Sequence, residues 1–563
     1  METALHETFT QKTGKKVKQY VETNPKDAKL TLTFFTVSFI TLFIGGILGL
    51  LQGLERAGLL TMPAWFDYYQ TLTTHGILLI LVFTGTFLVG YVYAGVSHVL
   101  GGLLPKVRKM GWTAFTLMVT GTVLTASQVI IGEASVLYTF YPPMAASPWF
   151  YIGLVLIVLG VWTAAFGIFI NVANWRKNHR GQKLPLFAFF GTGIFTLLFT
   201  GTLGVTYEVL TLIPWAFGWT ETVNVLLSRT LFWSFGHTLV NVWYFTAVSA
   251  WYVAFPKIIG GKTFSDTLAR VVVVLIVILN VPGGFHHQII DPGFSEGLKF
   301  MHVFMSLSIG FPSLMTAFAM FAIMERAGRR KGGKGLLGWF KKLPWKDARF
   351  LALFLAMATF IPAGAGGIAQ TNFQLNQVVH NTLFITGHFH LTVGVTVALS
   401  FFGIAYWLVP HLAKRVMTPK MNKLAIWQII LWMVGMFFMS GAMHTVGLFG
   451  APRRTSFTTY FDSAQAAGWN PYLMLLAVGG TLLIISVILV VYIVFHLMFK
   501  APKGETEFPV AEEEEDATPT PKWTERWSLW VVLMIAVIAM GYVIPVVDLV
   551  MNAPPGSPPF KTW

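Results

Sequence analysis

Apolar residues run through this chain in long unbroken stretches, and polar residues gather in the segments between them. Thirteen apolar stretches recur, centred near residues 42, 87, 120, 161, 199, 241, 278, 311, 358, 395, 435, 484 and 538. Each is close to or above the ~20 residues that a helix needs to cross roughly 30 Å of hydrocarbon. The pattern predicts an all-α polytopic membrane protein of about thirteen transmembrane helices. It divides into a polar segment over 1–29, a twelve-helix core over 30–500, an acidic linker over 501–525, and a last helix with its tail over 526–563. Residues 1–29 are Lys-rich and lack the short apolar core of a signal peptide. The linker contains the run Ala-Glu-Glu-Glu-Glu-Asp from Ala511 to Asp516, which reads as a flexible, solvated charge run. No internal repeat of the inverted-transporter kind is visible.

Composition agrees. Only 11% of residues are charged, against about 25% in soluble domains. Cysteine is absent, which excludes disulfides, thiolate metal sites, iron–sulfur clusters and a covalently attached c-type heme. Any bound metal must rest on histidine, carboxylate or backbone. The formal net charge is +15. In a membrane chain its distribution says more than its sum, and it does not imply nucleic acid. Of the 39 Lys and Arg, all but Arg56, Arg229, Lys299, Arg453, Arg454 and Lys561 fall in the N-terminal segment or in the connections after even-numbered spans. By the positive-inside rule the N-terminus is cytoplasmic and the C-terminus lies outside, as expected for a multi-pass protein of a cell's inner or plasma membrane.

Ionisable groups at membrane depth are costly and mark functional sites, so the histidines carry the chemistry. His388 and His390 lie two apart, about 200° around a helix. They point to opposite sides and can serve two separate planar cofactors. His286 and His287 differ by about 100° and can reach one metal if the backbone bends, which Pro282-Gly283-Gly284 just upstream allows. His237 and His75 stand singly in spans six and two. With the predicted sidedness, all six fall in the outer half of the membrane. Together they point to two hemes and a third metal. His380, Arg453 and Arg454, near the outer surface, are candidates for contact with heme propionates. His302 and His444 carry no assignment.

These residues resemble the catalytic subunit of the heme–copper oxidases, and the B-type branch most closely. The resemblance spans nearly the whole chain. It includes Tyr68-Tyr-Gln-Thr-Leu-Thr-Thr-His75, the stretch from Glu133 to Pro143, Gly284-Phe-His-His-Gln288, Pro312-Ser-Leu-Met-Thr316, Val379-His-Asn-Thr382, Gly387-His-Phe-His390 and Pro452-Arg-Arg454. It implies that His75 and His390 are the axial pair of a low-spin heme b. It makes His388 the single axial ligand of a high-spin heme of a or b type. His237, His286 and His287 would hold copper facing that heme, although three imidazoles suit iron about equally well. A small diatomic would be reduced between the two. The branch's proton path is matched at Tyr252, Ser313 and Thr316, but its tyrosine is Val248 here.

One departure bears on the substrate. Oxygen-reducing members of the family carry a tyrosine four residues after the first metal histidine, cross-linked to it, or move it to span seven. Here the fourth residue is Asn241, and span seven has no tyrosine. Tyr244 lies seven residues past His237, roughly 10 Å along the axis, too far to substitute. Asparagine cannot supply an electron and a proton for breaking the O–O bond. Reducing two NO to N2O asks for no oxidisable side chain, and Asn241 can orient a bound NO or a water. The expectation is therefore a nitric oxide reductase on a B-type scaffold, with cytochrome c or quinol as donor. A cytochrome c oxidase is the alternative, and a non-catalytic transporter or heme sensor is the reading from another class. A chain without cysteine also needs a partner subunit II with an outer redox domain, expected to hold a dinuclear copper centre.

Overall fold

The computed structural model describes residues 22–512, 519–553 and 555–561. The body of the acidic run and most of the N-terminal segment lie outside these residues. The chain is almost entirely helical. We number its long helices α1 (Pro25–Arg56), α2 (Tyr68–Leu100), α3 (Pro105–Ile130), α4 (Pro148–Asn178) and α5 (Leu186–Phe217). Next come α6 (Val225–Val253) and α7 (Asp266–Leu279, continued by Val281–Gln288). The rest are α8 (Glu296–Arg330), α9 (Ala348–Thr371), α10 (Leu383–Ala413), α11 (Pro419–Leu448), α12 (Ala464–Phe499) and α13 (Trp527–Met551).

Among the described residues eleven helices are long and apolar enough to span a membrane, and the bent α7 makes a twelfth. The expected thirteenth, α6, has 29 residues but falls short in apolar character. Its membrane-depth residues include His237, Asn241, Trp243 and Tyr244. The count by hydropathy is lower than predicted because the candidate site itself dilutes the apolar signal of the helix that carries it.

Three local departures from the α-helix position the histidines. α2 widens into π-helical turns over Ile77–Phe83, directly after His75. α10 does the same over His390–Val397, starting at His390. Such widened turns gather at functional sites because they re-aim side chains without ending the helix. In α7 the tight 3-10 segment Val281–Gln288 turns by 52° from the helix before it, as the Pro-Gly-Gly sequence predicts.

The acidic run of the expected flexible linker lies mostly outside the described residues. Over its described part the linker is a strap against the helix ends. Ala511 N–H donates to the Val253 carbonyl at 2.6 Å, and Thr263 N–H donates to that of Glu512. Phe508 stacks on His98 at 3.9 Å, and Glu507 pairs with Lys257 at 2.8 Å. The few apolar residues between the charges decide the packing.

Candidate metal and heme centre

His237 of α6 and His286 and His287 of the bent end of α7 offer ring nitrogens that all lie within 4.8 Å of one another. Three nitrogens each about 2.0 Å from one ion stand at most roughly 4 Å apart, so an ion closes the site by a small movement. His286 Nδ1 is held by the Gly283 carbonyl at 2.7 Å and Ser306 Oγ at 2.9 Å, which leaves Nε2 for a metal. The Trp233 ring lies flat on His287 at 3.8 Å and 7° and fixes its plane. Neither Ser306 nor Trp233 was singled out from sequence, since nothing in spacing marks such a support.

His75 and His390 face each other across the interior, ring centroids 6.3 Å apart and planes 16° from parallel. Each Nδ1 is tied to a carbonyl at 2.8 Å, that of Gly45 for His75 and that of Thr386 for His390. Nε2 is the free nitrogen of both. One iron between two such nitrogens, about 2.0 Å from each, sets ring centroids roughly 6 Å apart, so the pair fits a bis-histidine heme. Space is kept for it by Gly49, where a Cβ would stand 2.8 Å from the His75 ring. His388 points elsewhere, against α9, where a Cβ on Gly366 would stand 2.8 Å from its Nδ1. All six histidines line one cavity of about 450 Å³. The histidines that sequence reasoning grouped by depth are thus brought into one space.

The cavity wall also carries Arg56, Arg453 and Arg454. A backbone bridge between Thr382 and Pro452 holds the arginine pair over the start of α10. Arg453 donates to Asn381 Oδ1 at 2.8 Å, and burial pulls it down to about 10. Arg454 sits over the Tyr138 and Tyr141 rings with Nη2 buried and unpartnered. Arg56 reaches the Pro452 and Thr455 carbonyls while its Nε has no partner. The buried open donors Arg454 Nη2 and Arg56 Nε fit carboxylates such as heme propionates. From sequence Arg56 is only an outer-face charge, because its depth depends on where α1 ends.

His380 does not line the cavity. Its Nδ1 lies 3.2 Å from Asn376 Oδ1, and burial, with Arg453 nearby, lowers its pKa to about 4. The folded state therefore binds fewer protons here than the unfolded chain between about pH 4 and its ordinary value near 6.5. His380 should lower stability as pH falls through that window, and in thermal unfolding the His380→Gln protein should lose less of its midpoint between pH 7 and pH 5 than the parent.

Asn241 is one turn from His237 and lines the cavity. Its Nδ2 donates to the His237 carbonyl at 3.0 Å and faces His237 Nε2 at 3.3 Å. The only tyrosines in the wall among the described residues, Tyr68 and Tyr138, are on the arginine side. Below the cavity a row of hydroxyls leads away. Ser313 lines the cavity and receives the Tyr244 hydroxyl at 3.3 Å. Thr316 stands beside both Tyr244 and Tyr252. Tyr244 thus places a hydroxyl one turn from the apolar Val248.

A family model described as cytochrome c and quinol oxidase polypeptide I matches residues 29–482. The chain is 36% identical over 499 residues to cytochrome c oxidase subunit 1 of Thermus thermophilus, covering 86% of this chain and 88% of that one. It is 22% identical over 548 residues to cytochrome c oxidase polypeptide 1 of Halobacterium salinarum, covering 92% and 85%. A heme–copper terminal oxidase dimer solved by cryo-electron microscopy superimposes with a TM-score of 0.88 at 33% identity, covering 95% of each chain.

Proposed function

Since the chain belongs to the cytochrome c and quinol oxidase polypeptide I family, we propose that it is the catalytic subunit of a membrane oxidoreductase that reduces nitric oxide, 2 NO + 2 e⁻ + 2 H⁺ → N2O + H2O. The family binds hemes and copper, so a non-catalytic transporter is left without support. The choice of substrate rests on one observation. The position facing His237 Nε2 is filled by the Asn241 amide, and no tyrosine touches the three-histidine cluster among the described residues.

In this reading His75 and His390 hold a low-spin heme b, and His388 holds a high-spin heme of a or b type. His237, His286 and His287 hold copper, with non-heme iron as the alternative. When bound, these groups would relay the donor's electrons to the diatomic and reduce it. The chain's own residues do the rest. Arg453 and Arg454 neutralise propionates, with His380 beside them. Asn241 steadies His237 and presents an amide to the cavity. Ser313, Tyr244, Thr316 and Tyr252 carry protons from the cytoplasmic side. The N-terminus is cytoplasmic, the C-terminus outside, and the membrane is the plasma membrane. Electrons come from cytochrome c through a partner subunit II with a dinuclear copper domain, or directly from quinol.

The second reading is oxygen reduction, favoured by the names of the curated relatives. Purified enzyme with a reduced donor, given NO and O2 separately, distinguishes them. We expect N2O to accumulate and O2 uptake to be slow; rapid O2 uptake without N2O would remove the main reading. Asn241→Leu, which keeps size and loses the amide, should lower NO turnover by roughly 10–100-fold, the usual cost of losing an outer partner of a metal ligand.

A further inference from the structure

We infer that His302, a histidine outside the metal cluster, is a positioning residue that holds the loop bearing His286 and His287, with α13 as the other jaw of the clamp. The inference rests on the proposed metal site.

His302 is fully buried on α8, and both its ring nitrogens are used. Nδ1 accepts the Phe285 N–H at 3.3 Å, one residue before His286. Nε2 lies 3.0 Å from the Gly541 carbonyl of α13. A carbonyl can only accept, so Nε2 carries the proton and donates, while Nδ1 is bare. The neutral ring is therefore a bridge of one acceptor and one donor between the metal loop and α13. A neutral imidazole has one of each, and both are spent.

The neighbours act in the same direction. Tyr542, next to Gly541, donates its hydroxyl to the Val281 carbonyl at 3.3 Å. Gly541 packs so closely that a Cβ there would stand 2.9 Å from Pro282 Cβ. One turn along α8 from His302, Ser306 Oγ donates to the Gly283 carbonyl at 2.9 Å and touches His286 Nδ1 at 2.9 Å. The 3-10 segment Val281–Gln288 has the poorer hydrogen-bond geometry of such turns, so contacts from outside count for more. Its shape is set from outside, by His302 and Ser306 on one side and Gly541 and Tyr542 on the other. Two adjacent histidines can share an ion only while that shape holds.

The test uses copper added back to the copper-depleted whole protein, with both hemes followed optically. His302→Leu keeps most of the volume and loses both hydrogen bonds. His302→Gln keeps an acceptor and a donor at similar reach. We expect Leu to weaken copper binding by roughly 10–100-fold with heme spectra unchanged, and Gln to restore most of it. Full copper affinity in the Leu protein would overturn the proposal, and so would equal loss in Leu and Gln. If Leu also loses heme, His302→Asn decides, because its amide is too short to bridge both partners: wild-type affinity would overturn the clamp, and a loss that Gln does not share would support it. A parent protein that takes up neither copper nor iron at this site would bring down the metal site and the clamp together.

Discussion

Replacing His286 with alanine is expected to remove the third metal, leave both hemes in place, and abolish turnover. His286 contributes one of only three ligand nitrogens in the cluster, and no Cys, Asp or Glu joins that cluster among the described residues. A three-imidazole site cut to two holds an ion far less well. Its Nδ1 is already bound by Gly283 and Ser306, so the loop keeps the Ser306–Gly283 bond when the ring is gone, and the change stays local. Loss of an outer-shell partner costs roughly 10–100-fold; loss of the ligand itself should exceed that range. Metal analysis of the purified variant checks the first half, with copper per heme falling while the heme spectrum holds. Turnover with NO checks the second. Normal copper content in the variant would show that the cluster is not the metal site.

The other large effect is at the opposite end of the cavity. His390→Ala should remove the low-spin heme signal while the high-spin heme, held from His388, remains. The two residues are neighbours in sequence, but their rings belong to different places. His390 faces His75 at 6.3 Å, and His388 lies against Gly366 of α9. With one axial ligand gone, electrons have no station before the active centre, and turnover with any donor should stop. A reduced-minus-oxidised spectrum, read with and without carbon monoxide to mark the five-coordinate heme, separates the two signals. Loss of both hemes, or of the carbon monoxide-reactive one alone, would reverse the proposed roles.

Much of this was legible in the chain because membrane depth makes polar residues expensive. The six histidines stand out against apolar surroundings, and the two-residue spacing of His388 and His390 requires opposite directions on any helix. Pro282-Gly283-Gly284 announces a break before His286, and the break is there. That reading also counted α6 as a span, although its site residues leave it short of the apolar character that the other long helices show.

The sequence by itself determined the all-helical membrane architecture, the absence of thiolate chemistry, and the identity of the histidines. It also determined that the position one turn past His237 holds asparagine. These follow from local rules, in which hydropathy fixes span length and helical periodicity fixes direction. Only the tertiary structure decided which side chains support the candidate ligands. That Trp233 lies on His287, that Arg56 joins the arginine pair, that Tyr244 meets Ser313, and that the unassigned His302 ties α13 to the metal loop all depend on contacts between residues far apart in the chain. No periodicity records such contacts, because they arise from how helices cross and where their ends meet.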